Sequence, residues 1–379
     1  MARSPTRIVV VGDESAYLAV IRRGIMRYAR AAGPWAVHNA YSPDTPAAVH
    51  GWRPAGAIVS WHGGPWSQLV EALPGPIVTV SAARLPGAPA VRPDNHAAGR
   101  LQAEHLIDCG CRELVYMKAA GMAAALRTAG FVEAAAEQGL TVRVQTPFEA
   151  GWPADWEKMD RATGRWLAGM PRPTGVACHD DGRARIVAEA ALNAGIPIPE
   201  HIALIGCNDE PDACEMCYPP LSSVNLNLEK VGYEAARHLS LQIQGQPLPV
   251  DDLLIEPVGV ATRGSTDTIA LSDPTMLRAI RFIRDHADRP TSVENVLDHL
   301  NISRRALEKK FREHLGHTPL KEIQRTHLRK ARELLRLTDL PMPAIARAAG
   351  YTSAAAMSVM FRKHAGEPPT SYRARHRLQ

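Results

Sequence analysis

Residues 350–373 read GYTSAAAMSVMFRKHAGEPPTSYR, and residues 300–323 read LNISRRALEKKFREHLGHTPLKEI. Ser303, Phe311, Arg312, His314, Gly316 and Pro319 recur fifty positions later as Ser353, Phe361, Arg362, His364, Gly366 and Pro369. Two copies are too few for a solenoid, which needs about three repeats to bury its faces. The pattern is one small module used twice.

In the first copy Val293, Val296, Leu297 and Leu300 fall at helical spacing, and Ser303 stands where a second helix needs an N-cap. Leu307 and Phe311 face that helix inward; Gly316 stops it, with Pro319 beyond. This predicts a helix-turn-helix at about 293–314. In the second copy Ile345, Ala346 and Ala349 face inward, Gly350 permits the turn, Ser353 caps, and Met357 and Phe361 pack, which predicts another at about 342–364. Between them, 320–339 is amphipathic through Ile323, Leu328, Ala331, Leu334 and Leu335. Twenty helical residues span about 30 Å, close to the roughly 34 Å of one duplex turn.

Such an arrangement presents its second helices to successive major grooves. In the first, Ser303, Arg304, Arg305, Glu308, Lys309 and Arg312 face outward; in the second, Ser353, Ala355, Ser358, Val359, Arg362 and Lys363 do. Arg grips guanine bidentately and Glu accepts from cytosine, whereas Ala, Ser and Val offer at most a thymine-methyl contact and one hydroxyl. The first helix is therefore expected to supply most direct readout and the second mainly to anchor to the backbone. Charge agrees. Residues 275–379 carry 21 Lys+Arg against 10 Asp+Glu, and the rest of the chain 23 against 29. A basic end on an acidic body points to a polyanion partner.

The front two thirds have a different rhythm. TRIVVVG, GAIVSW, PIVTVS, ELVYMK, GVACH and IALIGC are short apolar runs, alternating with helical patterns such as YLAVIRRGIMRYARAAG, HAAGRLQAEHLIDCG, RTAGFVEAAAEQG and RARIVAEAALNAG. Alternation of this kind predicts parallel sheets covered by helices, with ligands beyond the carboxyl ends of the strands. Polar residues gather at those ends: Asp13 and Tyr17, Trp61 and His62, Asp180 and Asp181, Asn208 and Asp209. With Arg127 they form a candidate ligand set, because sugar hydroxyls need paired donors and acceptors while the C–H face packs on aromatic rings. Helix caps and loops use the same residue types.

No P-loop, GxSxG, HExxH or strand-linked GxGxxG occurs, so the chain is read as a non-enzyme with no cofactor. The six cysteines are read as reduced thiols; Cys109 and Cys111 with Cys214 and Cys217 would hold zinc only if the two pairs met. The apolar run Ile8–Val11 is too short for a signal-peptide core, and no stretch approaches the length of a membrane span. The expectation is a cytoplasmic protein.

Residues 275–379 resemble the AraC-type DNA-binding domain through Phe361, Arg362, Gly366, Pro369, Tyr372 and Arg373. Residues 6–266 resemble the effector domain of LacI/GalR repressors through VRPDNHAAGRLQAEHLIDCG, RTAGFVEAAAEQGL and the stretch from RPTGVACHDDGRARIV to GYEAARHL, with ATRGST (261–266) as that domain's last strand. The fusion, and HDDGRARIV, IPEHIALIG and TIALSDPTMLRAIRFIRDHA in particular, resembles the bacterial xylose operon regulators. The resemblance implies an α/β periplasmic-binding-protein-like fold of two parallel-sheet subdomains (1–267), a linker (268–274) and an all-α double helix-turn-helix domain (275–379). It further implies double-stranded DNA, a monosaccharide such as xylose or a related pentose, a homodimer, and activation through RNA polymerase. One departure stands out: Asn208 occupies a position where the wider family commonly carries a sugar-contacting Asp. A non-sugar effector, a transport receptor and a sugar-active enzyme are the alternatives.

Overall fold

The apolar runs of the front region become strands because each is too short to form a stable helix and is bounded by turn residues. In this computed structural model, which describes residues 5–44, 46–61, 64–148, 155–248, 252–266 and 273–376, the chain divides into two compact units, residues 1–267 and 268–379.

The first unit holds two six-stranded sheets. One contains β1 (Thr6–Val11), β2 (Trp35–Ala40), β3 (Gly56–Val59), β4 (Ile77–Thr79) and β5 (Ala90–Pro93); the other contains β6 (Glu113–Met117), β7 (Val142–Gln145), β8 (Thr174–Ala177), β9 (Ile202–Cys207) and β10 (Ser222–Asn225). The chain then returns to the first sheet as β11 (Asp252–Ile255) and crosses again to the second as β12 (Gly259–Ala261). Every pairing is parallel except β10 with β12. The strand orders are β11-β5-β4-β3-β1-β2 and β12-β10-β9-β8-β6-β7.

Strands β1, β3, β8 and β9 are central and nearly fully buried, which is why they read as continuous apolar runs. β2 and β7 are not among the apolar runs legible in the sequence. Both lie at a sheet edge, and their mixed, half-exposed WAVHNA and VRVQ lack that signature. ATRGST also departs from expectation. Only Ala261 belongs to β12, and Gly264–Thr266 forms a 3-10 turn. Hydroxyls hold that turn down: Ser265 Oγ donates to the Leu204 carbonyl at 2.6 Å and accepts from the Ser222 N–H at 2.9 Å.

Each sheet carries a helix pair that crosses backbone to backbone. Helices Ala16–Ala32 and Leu228–Ile243 meet at Gly24 and Gly232, where an added Cβ would lie 1.9 Å from the Glu229 and Ile21 carbonyl oxygens respectively. Helices Asn95–Asp108 and Met122–Glu137 meet the same way: a Cβ on Gly99 would lie 1.9 Å from the Arg127 carbonyl oxygen, and one on Gly130 would lie 2.0 Å from that of His96.

The first described element of the second unit is helix Pro274–Asp285, with Asp273 as its N-cap. Asp273 caps the helix, accepting from the N–H groups of Thr275 at 2.8 Å and Met276 at 3.2 Å, and it also pairs with Lys310. The repeated module follows as helices Val293–Leu300 with Arg304–Leu315, and Met342–Ala348 with Ala354–Ala365. Each copy has its own core: Val296, Leu300, Leu307 and Phe311 in the first, Ile345, Ala346, Met357 and Phe361 in the second. Helix Pro319–Leu337 joins them, placing Ile323 in the first core and Leu328, Ala331 and Leu335 in the second.

Gly130→Ala is expected to destabilise the first unit by about 1–3 kcal/mol, the usual cost of overpacking, although Gly to Ala inside a helix ordinarily gains about 0.5–1 kcal/mol. Gly164→Ala, on helix Trp156–Ala168 where the nearest atom to a new Cβ is 3.4 Å away, should be neutral or stabilising. Paired thermal melts decide it. Equal effects of the two changes would show that the helix crossing tolerates a methyl group.

Candidate functional site

The carboxyl end of β8 leads to Cys178, His179 and Asp180, and that of β9 to Asn208 and Asp209. Asn208 and Asp209 both adopt positive φ, 115° and 56°. Strain of this kind persists only where surroundings over-determine it, and hydrogen bonds do so here. The Asn208 N–H donates to the Val224 carbonyl at 3.0 Å and the Asp209 N–H to Ser223 Oγ at 3.0 Å.

Arg127 is the centre of this constellation. It is only 3% exposed. Its Nε donates to Asn95 Oδ1 at 2.8 Å, one terminal nitrogen donates to the His179 carbonyl, and the other reaches Asn208 Oδ1 at 3.4 Å. Among the described residues no carboxylate pairs with it. Asn208 Nδ2 in turn donates to Glu210 Oε1 at 2.9 Å. An amide is therefore suited to this position: it accepts from a guanidinium and donates to a carboxylate, whereas an aspartate would set two carboxylates side by side. Burial, and then the Arg127 charge, hold the His179 imidazole neutral by pushing its pKa down to about 3. His179 Nδ1 is buried without a hydrogen-bond partner.

Not every strand-end residue joins that cluster. Asp181 is fully buried; its carboxylate accepts from Ser223 Oγ at 2.6 Å and from the Glu210 N–H at 2.8 Å, and it lies where a Cβ on Gly206 would come within 2.1 Å. It ties β9 to β10 and does not open to solvent. Asp209 accepts from Asn225 Nδ2 at 3.0 Å and pairs with Arg263 at 2.9 Å. Asp180 caps helix Asp181–Asn193, accepting from the Arg183 N–H at 2.7 Å, and also binds the Arg183 guanidinium. These three aspartates are spoken for by the fold.

On the opposing half, Asp13 is exposed and accepts from Ser15 Oγ at 2.6 Å. The Tyr17 hydroxyl donates to the Val80 carbonyl at 2.9 Å. Burial pushes that phenol well above its ordinary range, while the Arg127 charge pulls it back, an influence reaching from one half of the unit to the other. Trp61 is half-buried against the first sheet's core, its backbone N–H bonded to Ser81 Oγ at 2.8 Å. His62 lies outside the described residues. Asn95 was missed, since it reads as an ordinary first-turn residue and only the helix crossing brings it to Arg127.

In the second unit the outward faces fall where the spacing puts them. Ser303 accepts from the Ala306 N–H at 3.3 Å and Ser353 from the Ala356 N–H at 3.0 Å, so both serines cap. Arg304 is tied to Glu294 at 2.7 Å, and Lys309 lies 3.7 Å from Glu313. Arg305, Arg312, Arg362 and Lys363 are exposed. Glu308 and Ser358 are half-buried, and Ala355 and Val359 are exposed. Burial raises the pKa of Cys111, Cys178, Cys207, Cys214 and Cys217, so these thiols are held protonated in the core. Among the described residues no group of three or more His, Cys, Asp or Glu is arranged to hold a metal ion.

Residues 103–266 match a periplasmic binding protein-like domain and residues 296–375 a helix-turn-helix domain. The xylose operon regulatory protein of Escherichia coli is 34% identical over 221 residues, covering 58% of this chain and 56% of that one. The aligned region thus spans about half the length of that relative. The solved structure of the xylose-binding transcription activator XylR matches over 100% of both chains, with 28% identity and a TM-score of 0.64. A LacI-type protein of Alkaliphilus metalliredigens complexed with D-xylulofuranose, 20% identical, shares the fold of the first unit over 69% of this chain and 98% of that one, with a TM-score of 0.57. The chain thus joins a periplasmic binding protein-like domain to a helix-turn-helix domain.

Burial pushes the Asp181 carboxyl up to about 7, against the two hydrogen bonds that favour its ionised form. An aspartate in the unfolded chain titrates near 4. The folded form therefore holds a proton that the unfolded form releases, and the stability this gives is full below about pH 4 and lost as pH rises through 7. Asp181→Asn removes that dependence. The difference in melting temperature, variant minus wild type, should become more positive from pH 4.5 to pH 8; a constant or shrinking difference would mean that the carboxyl is not raised.

Proposed function

We propose that this protein is a sequence-specific DNA-binding transcription regulator, an activator, controlled by a monosaccharide of the pentose class, with D-xylose the first to test. The observation that carries the proposal is the presence, on one chain, of a buried guanidinium at the strand ends and of two capped helix-turn-helix motifs. Arg127 has five N–H donors in a rigid fork, of which three are engaged. The free donors, the Asn208 amide and unpartnered His179 Nδ1 form a mixed donor-acceptor set suited to hydroxyls, with Tyr17 and Trp61 on the opposing half. Asp13 and His62 complete the wider candidate set, while Asp180, Asp181 and Asp209 are held by the fold.

A sugar held between the halves favours the closed form by its differential affinity for that form, and only by that amount. In a homodimer, closure would change how two basic C-terminal units engage DNA and RNA polymerase. Binding without turnover is the reading, and the cytoplasm is the compartment it requires; no helix among the described residues is long and apolar enough to cross a membrane.

D-xylose at 100 times its dissociation constant should stabilise the first unit by about 2.7 kcal/mol. A calorimetric panel of pentoses, hexoses and alditols tests this, with Arg127→Lys expected to lose most of the response because a point-charge ammonium cannot replace the fork. If every sugar leaves the melt unchanged while some unrelated metabolite raises it, the sugar assignment is wrong.

A further inference from the structure

The second recognition helix presents an apolar strip where the first presents charge. Val359 is 68% exposed, the most exposed large apolar side chain described in the second unit. Ala355, one turn earlier, is exposed beside it, and Met357 and Phe361 bury the opposite face. Fifty residues before them stand Arg305 and Lys309. A single exposed valine is unremarkable on most surfaces. This one occupies a defined register, six residues after the Ser353 cap and one turn before the exposed cations Arg362 and Lys363. β-branching there lowers helix propensity, with little packing in the unit to offset it.

We infer that Ala355 and Val359 read the C5-methyl group of thymine, so that the second helix selects sequence and does not merely anchor to the backbone. The inference rests on the DNA-binding reading above. The thymine methyl is the apolar feature that base edges offer in the major groove, and an apolar strip flanked by cations matches a duplex, whose phosphates take Arg362 and Lys363 while the methyl takes Val359. Ser358, on the same side, adds a hydroxyl able to serve either base of a pair.

The full-length protein, incubated with a library of randomised duplexes, should enrich a site with thymine at one or two positions about 10 base pairs from the position that Arg305→Ala relaxes. Replacing those thymines singly by deoxyuridine removes only the methyl group, and should weaken wild-type binding about fourfold, the equivalent of about 0.8 kcal/mol for one buried methyl. Val359→Ala should bind the thymine duplex more weakly and show little further loss with deoxyuridine. Alanine is the better helix former, and an unchanged melting temperature would show that the variant folds. Deoxyuridine without effect at every position, or with the same effect in Val359→Ala as in wild type, would overturn the inference while leaving DNA binding intact. Failure to enrich any sequence would sink the DNA-binding reading itself.

Discussion

The first unit depends on four glycines. Gly24 with Gly232, and Gly99 with Gly130, let two helix pairs approach until each glycine faces a carbonyl of its partner. No side chain could occupy those crossings without parting the helices. The second crossing also aligns chemistry: Gly99 sits against the backbone of Arg127, and Asn95, at the start of the same helix as Gly99, receives the Arg127 Nε. The guanidinium is placed by a contact between backbones, a firmer reference than a flexible side chain.

What that placement achieves is a buried positive charge that no carboxylate among the described residues pairs with. Burying an ion is costly unless hydrogen bonds replace its water, and neutral oxygens from Asn95, His179 and Asn208 do so. Carboxylates nearby are diverted: Asp209 to Arg263, Asp180 to Arg183, Asp181 to Ser223 and a backbone amide. The cation remains available electrostatically, and a neutral imidazole at His179 adds no competing charge.

The second unit solves a different problem. A single helix-turn-helix is too small to bury much surface, and here two of them share one long helix whose halves complete separate cores. Capping repeats with the core: Ser303 and Ser353 start the recognition helices, and Gly316 and Gly366, with φ of 69° and 73°, end them. Scaffold positions are therefore duplicated while outward positions are not.

The amino-acid sequence determined the elements and their order. Ser, Gly and Pro at a constant offset, with apolar residues at helical spacing, specify both helix-turn-helix motifs because capping and amphipathicity are local; continuous apolar runs identify the central strands because both their faces are buried. Edge strands such as WAVHNA escaped, since half their side chains meet water. Tertiary structure alone decided what each strand-end polar residue bonds to. Asp13, Asp180, Asp181, Asn208 and Asp209 look alike as polar residues after strands, yet Asp181 is drawn inside against Gly206 and Asp209 onto Arg263, while Asn208 meets Arg127 and the unremarked Asn95 joins them. Periodicity reports which face of an element is buried; a polar group's partner depends on contacts between residues tens to over a hundred positions apart, and those exist only once the helices have crossed and the strands have found their register.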